Sequence, residues 1–421
     1  MTGSETHRAI DAVWRIESAR LIAGLARIVR DVGLAEELAQ DALVAALERW
    51  PSSGVPANAG AWLMATAKNR AIDRLRRAKL VDRKHAELGH AAEPAHDAMP
   101  ALEAALDGDP GDDLLRLVFT SCHPVLTADA RVALTLRLLG GLSTPEIARA
   151  FLVPEPTIAQ RIVRAKRTLS EANVPFEVPR GAELVERLAS VLEVIYLIFN
   201  EGYSATSGGD WMRPALCEDA LRLGRILAQL VPDEPEVHGL VAVMEIQASR
   251  LRARTSPSGE PILLLDQNRA RWDHVLIRRG LAALDRVEAL GGARGPYALQ
   301  AAIAACHARA VTAEATDWPR IAALYAALVQ VMPSPVVELN RAVAVAMALG
   351  PAAGLAIADA LAAEPALADY QLLPAVRGDL LAKLGRLDEA RRELERAAEL
   401  THNARERALL RARAAALAPQ D

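Results

Sequence analysis

Apolar residues return at three- and four-residue steps from the start of the chain: Ile10, Val13, Trp14, Leu21, Leu25, Ile28 and Val29 share one face of a helix. That period recurs downstream, while runs of β-branched residues are few and short. Alanine, leucine and arginine, all strong helix formers, crowd the sequence, and aromatics make up only 4% of it. A chain of 421 residues with this pattern is expected to be all-α and to form two or three domains. Cys122, Cys217 and Cys306 show no paired spacing, which argues against a disulfide framework or a zinc module and for a reducing, cytoplasmic setting. No apolar run nears the ~20 residues of a membrane span, so a soluble protein without a membrane partner is expected.

Composition divides the chain. The first block, residues 1–80, is read as three helices: one stopping near Gly33, a second, "LAEELAQDALVAALERWP", ending against Pro51, and a third that is basic. Residues 81–113 form an acidic linker, with eight acids and no Lys or Arg between Lys84 and Arg116. A compact helical block follows at 114–175, and residues 176–421 are a long Ala/Leu-rich helical extension. Within 298–416, similar strings begin at Asp317, Gly350 and Gly385, near the roughly 34-residue period of tetratricopeptide units.

The net charge is −4, so any nucleic-acid surface must be a local cluster. One such cluster is "AWLMATAKNRAIDRLRRAKL", Ala61 to Leu80, with six basic side chains and one acid. On a helix, Leu63, Ala67, Ala71 and Leu75 face a core, with Met64 and Ile72 beside them. Arg70, Arg74 and Arg77 then form an outward row beside Trp62, Thr66, Asn69, Asp73 and Arg76. Guanidinium groups bind phosphate, Asn pairs with adenine, and Trp stacks on an unpaired base. A solvated face with Trp62 in the core fits the same residues.

The second cluster is "GGLSTPEIARAFLVPEPTIAQRIVRAKRTLS". Ser143 and Glu146 have capping-box spacing for a short helix that turns Ile147, Ala148 and Phe151 inward. After "LVPEP", Pro156 opens a longer helix that packs through Ile158, Ile162, Ala165 and Leu169. This is the outline of a helix-turn-helix, with Thr157, Gln160 and Arg161 placed to reach bases and Arg164, Lys166 and Arg167 to bind phosphates. Helical hairpins that do not bind DNA share the outline.

The two basic helices, in this order around an acidic linker, resemble regions two and four of a bacterial RNA polymerase sigma factor of the extracytoplasmic-function type. The strings are "LAEELAQDALVAALERW", "AWLMATAKNRAIDRLRR" and "STPEIARAFLVPEPTIAQRIVRAKRTL", and the resemblance covers residues 10–170. It implies core RNA polymerase as partner through the β′ clamp and β flap, with Glu36, Glu37, Gln40 and Asp41 on the clamp. It further implies promoter DNA as partner, with Trp62, Asn69, Arg70, Asp73, Arg74, Arg76 and Arg77 at the −10 element. Thr157, Gln160, Arg161, Arg164, Lys166 and Arg167 would read or hold the −35 element. "YLIFNEGYSAT", "LLLLDQNRARWD", "LQAAIAACHARA" and "SPVVELNRAVAVA" look like the tetratricopeptide-like extension of one subgroup of these factors. That implies regulation through the extension, with a protein or peptide as its potential partner, in place of a membrane anti-sigma protein.

Three strings invite a chemical reading. "FNEGYSAT" is read as a polar loop closing a helix, because no His or second acid stands at a telling spacing from Glu201. Cys122 and His123 are read as a buried thiol and a capping imidazole. In "DQNRARWDH", Asp266 and Asp273 alternate with Arg269 and Arg271; a structural ion-pair network or a docking face would produce that pattern, and the structural reading is favoured. No catalytic residue, metal site or cofactor is expected. A one-component helix-turn-helix regulator with a ligand-binding repeat domain, and a peptide-binding repeat scaffold, remain as alternatives.

Overall fold

The computed structural model describes residues 3–88, 110–151, 153–205 and 209–417. These residues are helical apart from connecting turns and an isolated bridge between Thr255 and Pro261, and the chain divides into two compact units, Met1–Ile195 and Tyr196–Asp421.

The first unit begins with α1 (Gly3–Val29), α2 (Val32–Ser53) and α3 (Ala59–Leu88), which pack on one another around Ile22, Leu25, Leu38, Trp50 and Leu63. Each such side chain contributes about 1.5–3 kcal/mol by leaving water. α1 stops earlier than Gly33: Arg30 takes a left-handed conformation (φ 54°), and Asp31 caps α2 by accepting from the Leu34 N–H at 2.7 Å. A cap three residues before Leu34 starts the next helix at once, so Gly33 lies inside its first turn. α2 likewise runs past Pro51 and ends at Gly54 (φ 81°), whose N–H bonds to the Trp50 carbonyl at 2.9 Å.

The expected linker is helical at both ends, since α3 continues to Leu88 and α4 (Pro110–Ser121) has already begun by Asp113. Residues 89–109 lie outside the described residues. α5 (Ala128–Leu138), α6 (Thr144–Phe151) and α7 (Glu155–Glu171) complete a second bundle with α4 around Leu117, Phe119, Leu134, Leu136, Ile147 and Ile158. The first half of α8 (Ala182–Tyr203) packs here too, Arg187 donating to the Phe119 carbonyl at 2.9 Å and Ser190 to that of Cys122 at 2.7 Å. Cys122 is buried beside the Thr135 hydroxyl at 3.3 Å, and His123 Nδ1 accepts from the Val125 N–H at 3.1 Å.

The second unit continues through α9 (Pro214–Leu230), α10 (Pro235–Ala248), α11 (His274–Ala289) and α12 (Pro296–Arg309). α13 (Trp318–Val331), α14 (Pro335–Leu349), α15 (Pro351–Ala360), α16 (Leu372–Lys383), α17 (Leu387–Leu400) and α18 (Ala404–Ala415) follow, each packed on the next. The core therefore runs in successive layers, from Leu299, Ile303 and Ile321 through Leu339 and Ala358 to Leu394 and Leu410. The three sequence landmarks fall at helix boundaries: Asp317 caps α13, Gly350 (φ 104°) ends α14 and Gly385 (φ 77°) precedes α17.

"FNEGYSAT" closes α8 as expected and packs tightly. Phe199 is fully buried, Glu201 pairs with Arg213, and the Asn403 side chain donates to the carbonyls of Ala205 (3.1 Å) and Asp210 (2.8 Å). A Cβ on Gly202 would lie 2.7 Å from the Cys217 amide nitrogen and 2.9 Å from its Sγ. Gly202→Ala should therefore lower stability by about 2 kcal/mol in urea denaturation, against alanine's ~1 kcal/mol helical advantage. An unchanged midpoint would mean that the start of α9 moves away freely.

"DQNRARWDH" departs from expectation. Asp273 caps α11 through the Val275 and Leu276 N–H groups, Asp266 and Arg271 are exposed, and Arg269 bonds to carbonyl and hydroxyl oxygens instead of an acid. Capping an N-terminus satisfies Asp273 more fully than an exposed ion pair would.

Candidate nucleic-acid interface

α3 is split lengthwise by its own sequence. Leu63, Ala67 and Ala71 are fully buried, Met64 and Ile72 half-buried, and Asn69, Asp73 and Arg74 exposed. Trp62 is half-buried and rests edge-on against the buried Trp50, ring centroids 5.3 Å apart at 67°. Arg76 and Arg77 lie on α3, but their side chains, like that of Leu75, are outside the described residues. Across the α2–α3 seam, Arg74 meets Glu37 at 3.2 Å and Arg70 meets Asp41 at 3.7 Å. Exposed pairs of this kind hold at most about 1 kcal/mol each, so either partner is easily captured by another charge.

The helix-turn-helix forms through α6 and α7. Glu146 accepts from the Ser143 N–H at 2.8 Å and its hydroxyl at 2.7 Å, while the Ser143 hydroxyl accepts from the Glu146 N–H at 3.4 Å: the capping box is reciprocal. Pro156 sits in the first turn of α7, which buries Ile158, Ile162, Ala165 and Leu169. Gln160, Arg164 and Arg167 are exposed, and Thr157 is half-buried. Arg161 reaches Asp129 at 3.0 Å, and Arg167 pairs with Glu171 at 2.6 Å on its own helix.

Glu36 and Lys166 are placed differently from the other sequence candidates. The Glu36 side chain is only 3% exposed. Its carboxylate accepts from Arg137 Nε at 2.6 Å and from Gln40 Nε2 at 2.6 Å, and pairs with Lys166 Nζ. Asp113, nearly as buried, meets Arg27 at 2.9 Å and Arg116 at 2.7 Å; burial raises its carboxyl above the usual range, and the two guanidinium groups pull it back. These ion pairs join the α1–α3 bundle to the α4–α7 bundle. Glu36 and Lys166 thus face each other here, and neither is a free surface contact. Sequence reading missed Arg27, Asp113 and Arg137; the available signal was a charge at a core-facing position, as Arg137 is in "LTLRLLG".

Residues 16–81 match the family described as Sigma-70 region 2, and residues 116–169 that described as Sigma-70, region 4. Over 148 residues the chain is 32% identical to the ECF RNA polymerase sigma factor SigK of Mycobacterium tuberculosis (strain H37Rv), covering 34% of this chain and 74% of that protein. The chain belongs to the extracytoplasmic-function sigma factors of the sigma-70 family. Mycobacterium bovis SigK matches equally. A Rhizobium meliloti (strain 1021) protein described as uncharacterized is 45% identical over 389 residues, 92% of this sigma factor and 90% of that protein, so the match takes in the extension. Residues 187–288 match a family of unknown function, DUF6596. This sigma factor directs transcription initiation, and among its described residues no helix is long and apolar enough to cross a membrane.

Proposed function

We propose that α2 docks on the β′ clamp of core RNA polymerase through Glu36, Glu37, Gln40 and Asp41, while α3 engages the −10 element through Trp62, Asn69, Arg70, Asp73, Arg74, Arg76 and Arg77. α7 reads the −35 element through Thr157, Gln160 and Arg161, with Arg164, Lys166 and Arg167 on phosphates. Residues 176–421, with their tetratricopeptide-like helix pairs, regulate initiation in the cytoplasm in place of a membrane anti-sigma protein, and a protein or peptide bound to the repeats is the potential input. This chain carries out no bond chemistry; strand opening rests on base capture and phosphate contacts.

The observation that carries this reading is α7: a capped helix-turn-helix buries four apolar residues on one face and leaves Gln160, Arg164 and Arg167 exposed on the other. The Glu36 ion pairs support a second element, a closed resting state. Glu36 cannot meet the clamp, nor Lys166 a phosphate, while they hold each other.

Run-off transcription with core polymerase and the promoter of the factor's own operon tests the reading. Gln160→Ala should cost about 1–3 kcal/mol of discrimination at one −35 base pair and leave other positions intact. Equal loss on every −35 sequence removes Gln160 from the readers. A full-length chain that binds operator DNA without polymerase is instead a one-component regulator.

A further inference from the structure

The extension holds a buried cationic cluster that the sigma reading does not use. Arg250 and Arg254 flank the short 3-10 turn Leu251–Ala253, and each is only 8% exposed. The Arg254 guanidinium lies 3.6 Å from the centre of the Tyr203 ring and 5.7 Å from that of Trp211. Arg250 lies 5.7 Å from the same Tyr203 ring and 5.8 Å from that of Trp272, over which Arg269 also sits at 4.8 Å. Shared rings therefore bring three guanidinium groups together, with the buried His307 beside them.

No carboxylate among the described residues forms a close ion pair with any of the three, though the exposed Glu314 carboxylate acts on Arg269 from a distance. Other nearby acids are engaged elsewhere: Glu201 with Arg213, Glu260 with Arg405, Asp273 with the cap of α11, and Glu245 with Arg225 through Oε1, its Oε2 staying buried without a partner. Arg269 is held by the carbonyls of His307 (2.6 Å) and Ala310 (2.7 Å) and the Thr316 hydroxyl (3.1 Å). For Arg254 the polar partner is the Tyr203 phenol. Arg250, Arg254 and Arg269 each have a buried Nε–H without an acceptor, as do the indole N–H groups of Trp211 and Trp272. Every one of these orphaned groups is a donor. Arg250 and Arg254, like charges buried together without a close counter-charge, are costly, and native interiors seldom leave a set of donors unmet.

We propose that Arg250, Arg254 and Arg269, framed by Tyr203, Trp211 and Trp272, form a binding site for a small oxyanion, a phosphoryl or carboxylate group, in the extension. Guanidinium forks match either group in bidentate geometry, and the aromatic rings fix the forks in place. The site lies within the second unit and does not depend on how the factor engages promoter DNA.

The test is thermal unfolding of the full-length factor in sodium chloride, inorganic phosphate or acetate at equal ionic strength and pH. The expected result is a saturable rise of about 5 °C in the midpoint of the second unit in phosphate or in acetate over chloride. A rise in phosphate alone assigns a phosphoryl ligand, and one in acetate alone a carboxylate. Arg250→Met and Arg254→Met should each abolish the increment while keeping the chloride midpoint at or above that of the unaltered chain, since each removes an uncompensated buried charge. Arg278→Gln, on the exposed face of α11, should keep the increment. Identical midpoints in the three salts, or an increment that survives in both Met variants, would overturn the proposal.

Discussion

Arg137→Ala is expected to lower the stability of the region 2–region 4 body by about 3 kcal/mol, whereas Glu36→Gln costs less than half as much. The asymmetry follows from burial. The Glu36 carboxylate is 3% exposed, while Arg137 and Lys166 keep 22% and 23% of their side chains in solvent. Without the carboxylate both cations turn outward to water, and Arg137 keeps its bond to the Leu142 carbonyl at 3.2 Å. Without Arg137 the carboxylate cannot follow, and Gln40 and Lys166 only partly compensate it. Urea denaturation together with amide exchange of α2 measures both changes. Equal losses would show that the pair's own attraction, and not the desolvated carboxylate, sets the cost.

The same pair decides how readily the closed state opens. If Glu36 docks on polymerase, the Glu36–Lys166 and Glu36–Arg137 bonds must break first, and the observed affinity for core enzyme is reduced by that penalty. Lys166→Met removes one bond between the bundles and leaves the carboxylate with Arg137. It should tighten core binding about fivefold, equivalent to about 1 kcal/mol, in fluorescence titrations of core polymerase. Unchanged affinity would take Glu36 out of the docking surface.

The all-α fold was legible because its signal is local: one apolar stripe per helix, one capping box at Ser143 and Glu146, one buried row on α7. Family membership was legible because three strings stood in the right order. Helix ends were less so. Gly33 and Pro51 are plausible stops, but Asp31 and Gly54 supply better ones, and a cap competes with a breaker only through neighbours that the string does not rank. Nor does sequence show which charges meet: Glu36 and Lys166 lie far apart in the chain and join only when two bundles pack. Arg250 and Arg254 carry no signal in the string, and Arg269 reads as a partner of Asp266 and Asp273, until Tyr203 and Trp272 draw the three together.

His307 should make the second unit acid-labile before its carboxylates do. The ring is 8% exposed and stands edge-on to Trp318, centroids 5.2 Å apart. Burial first, and then the positive charges of Arg250 and Arg269, push its pKa down to about 4 from the ordinary 6.5. The folded chain thus holds a neutral imidazole between these values, where the unfolded chain takes up a proton. Stability is complete above about pH 6.5 and falls as the pH drops, at most by ~1.4 kcal/mol per unit and about 3 kcal/mol in all, levelling once the folded form also protonates. Urea midpoints from pH 7.5 to 4.5 for the unaltered chain and for His307→Gln isolate this contribution, because carboxylates titrate alike in both. The two curves should converge toward low pH; parallel curves would show that His307 is accessible to protons in the folded state. Phosphate bound to Arg250 and Arg269 offsets their repulsion of the imidazolium, so the difference between the curves should shrink in phosphate and persist to the extent that burial alone sets it.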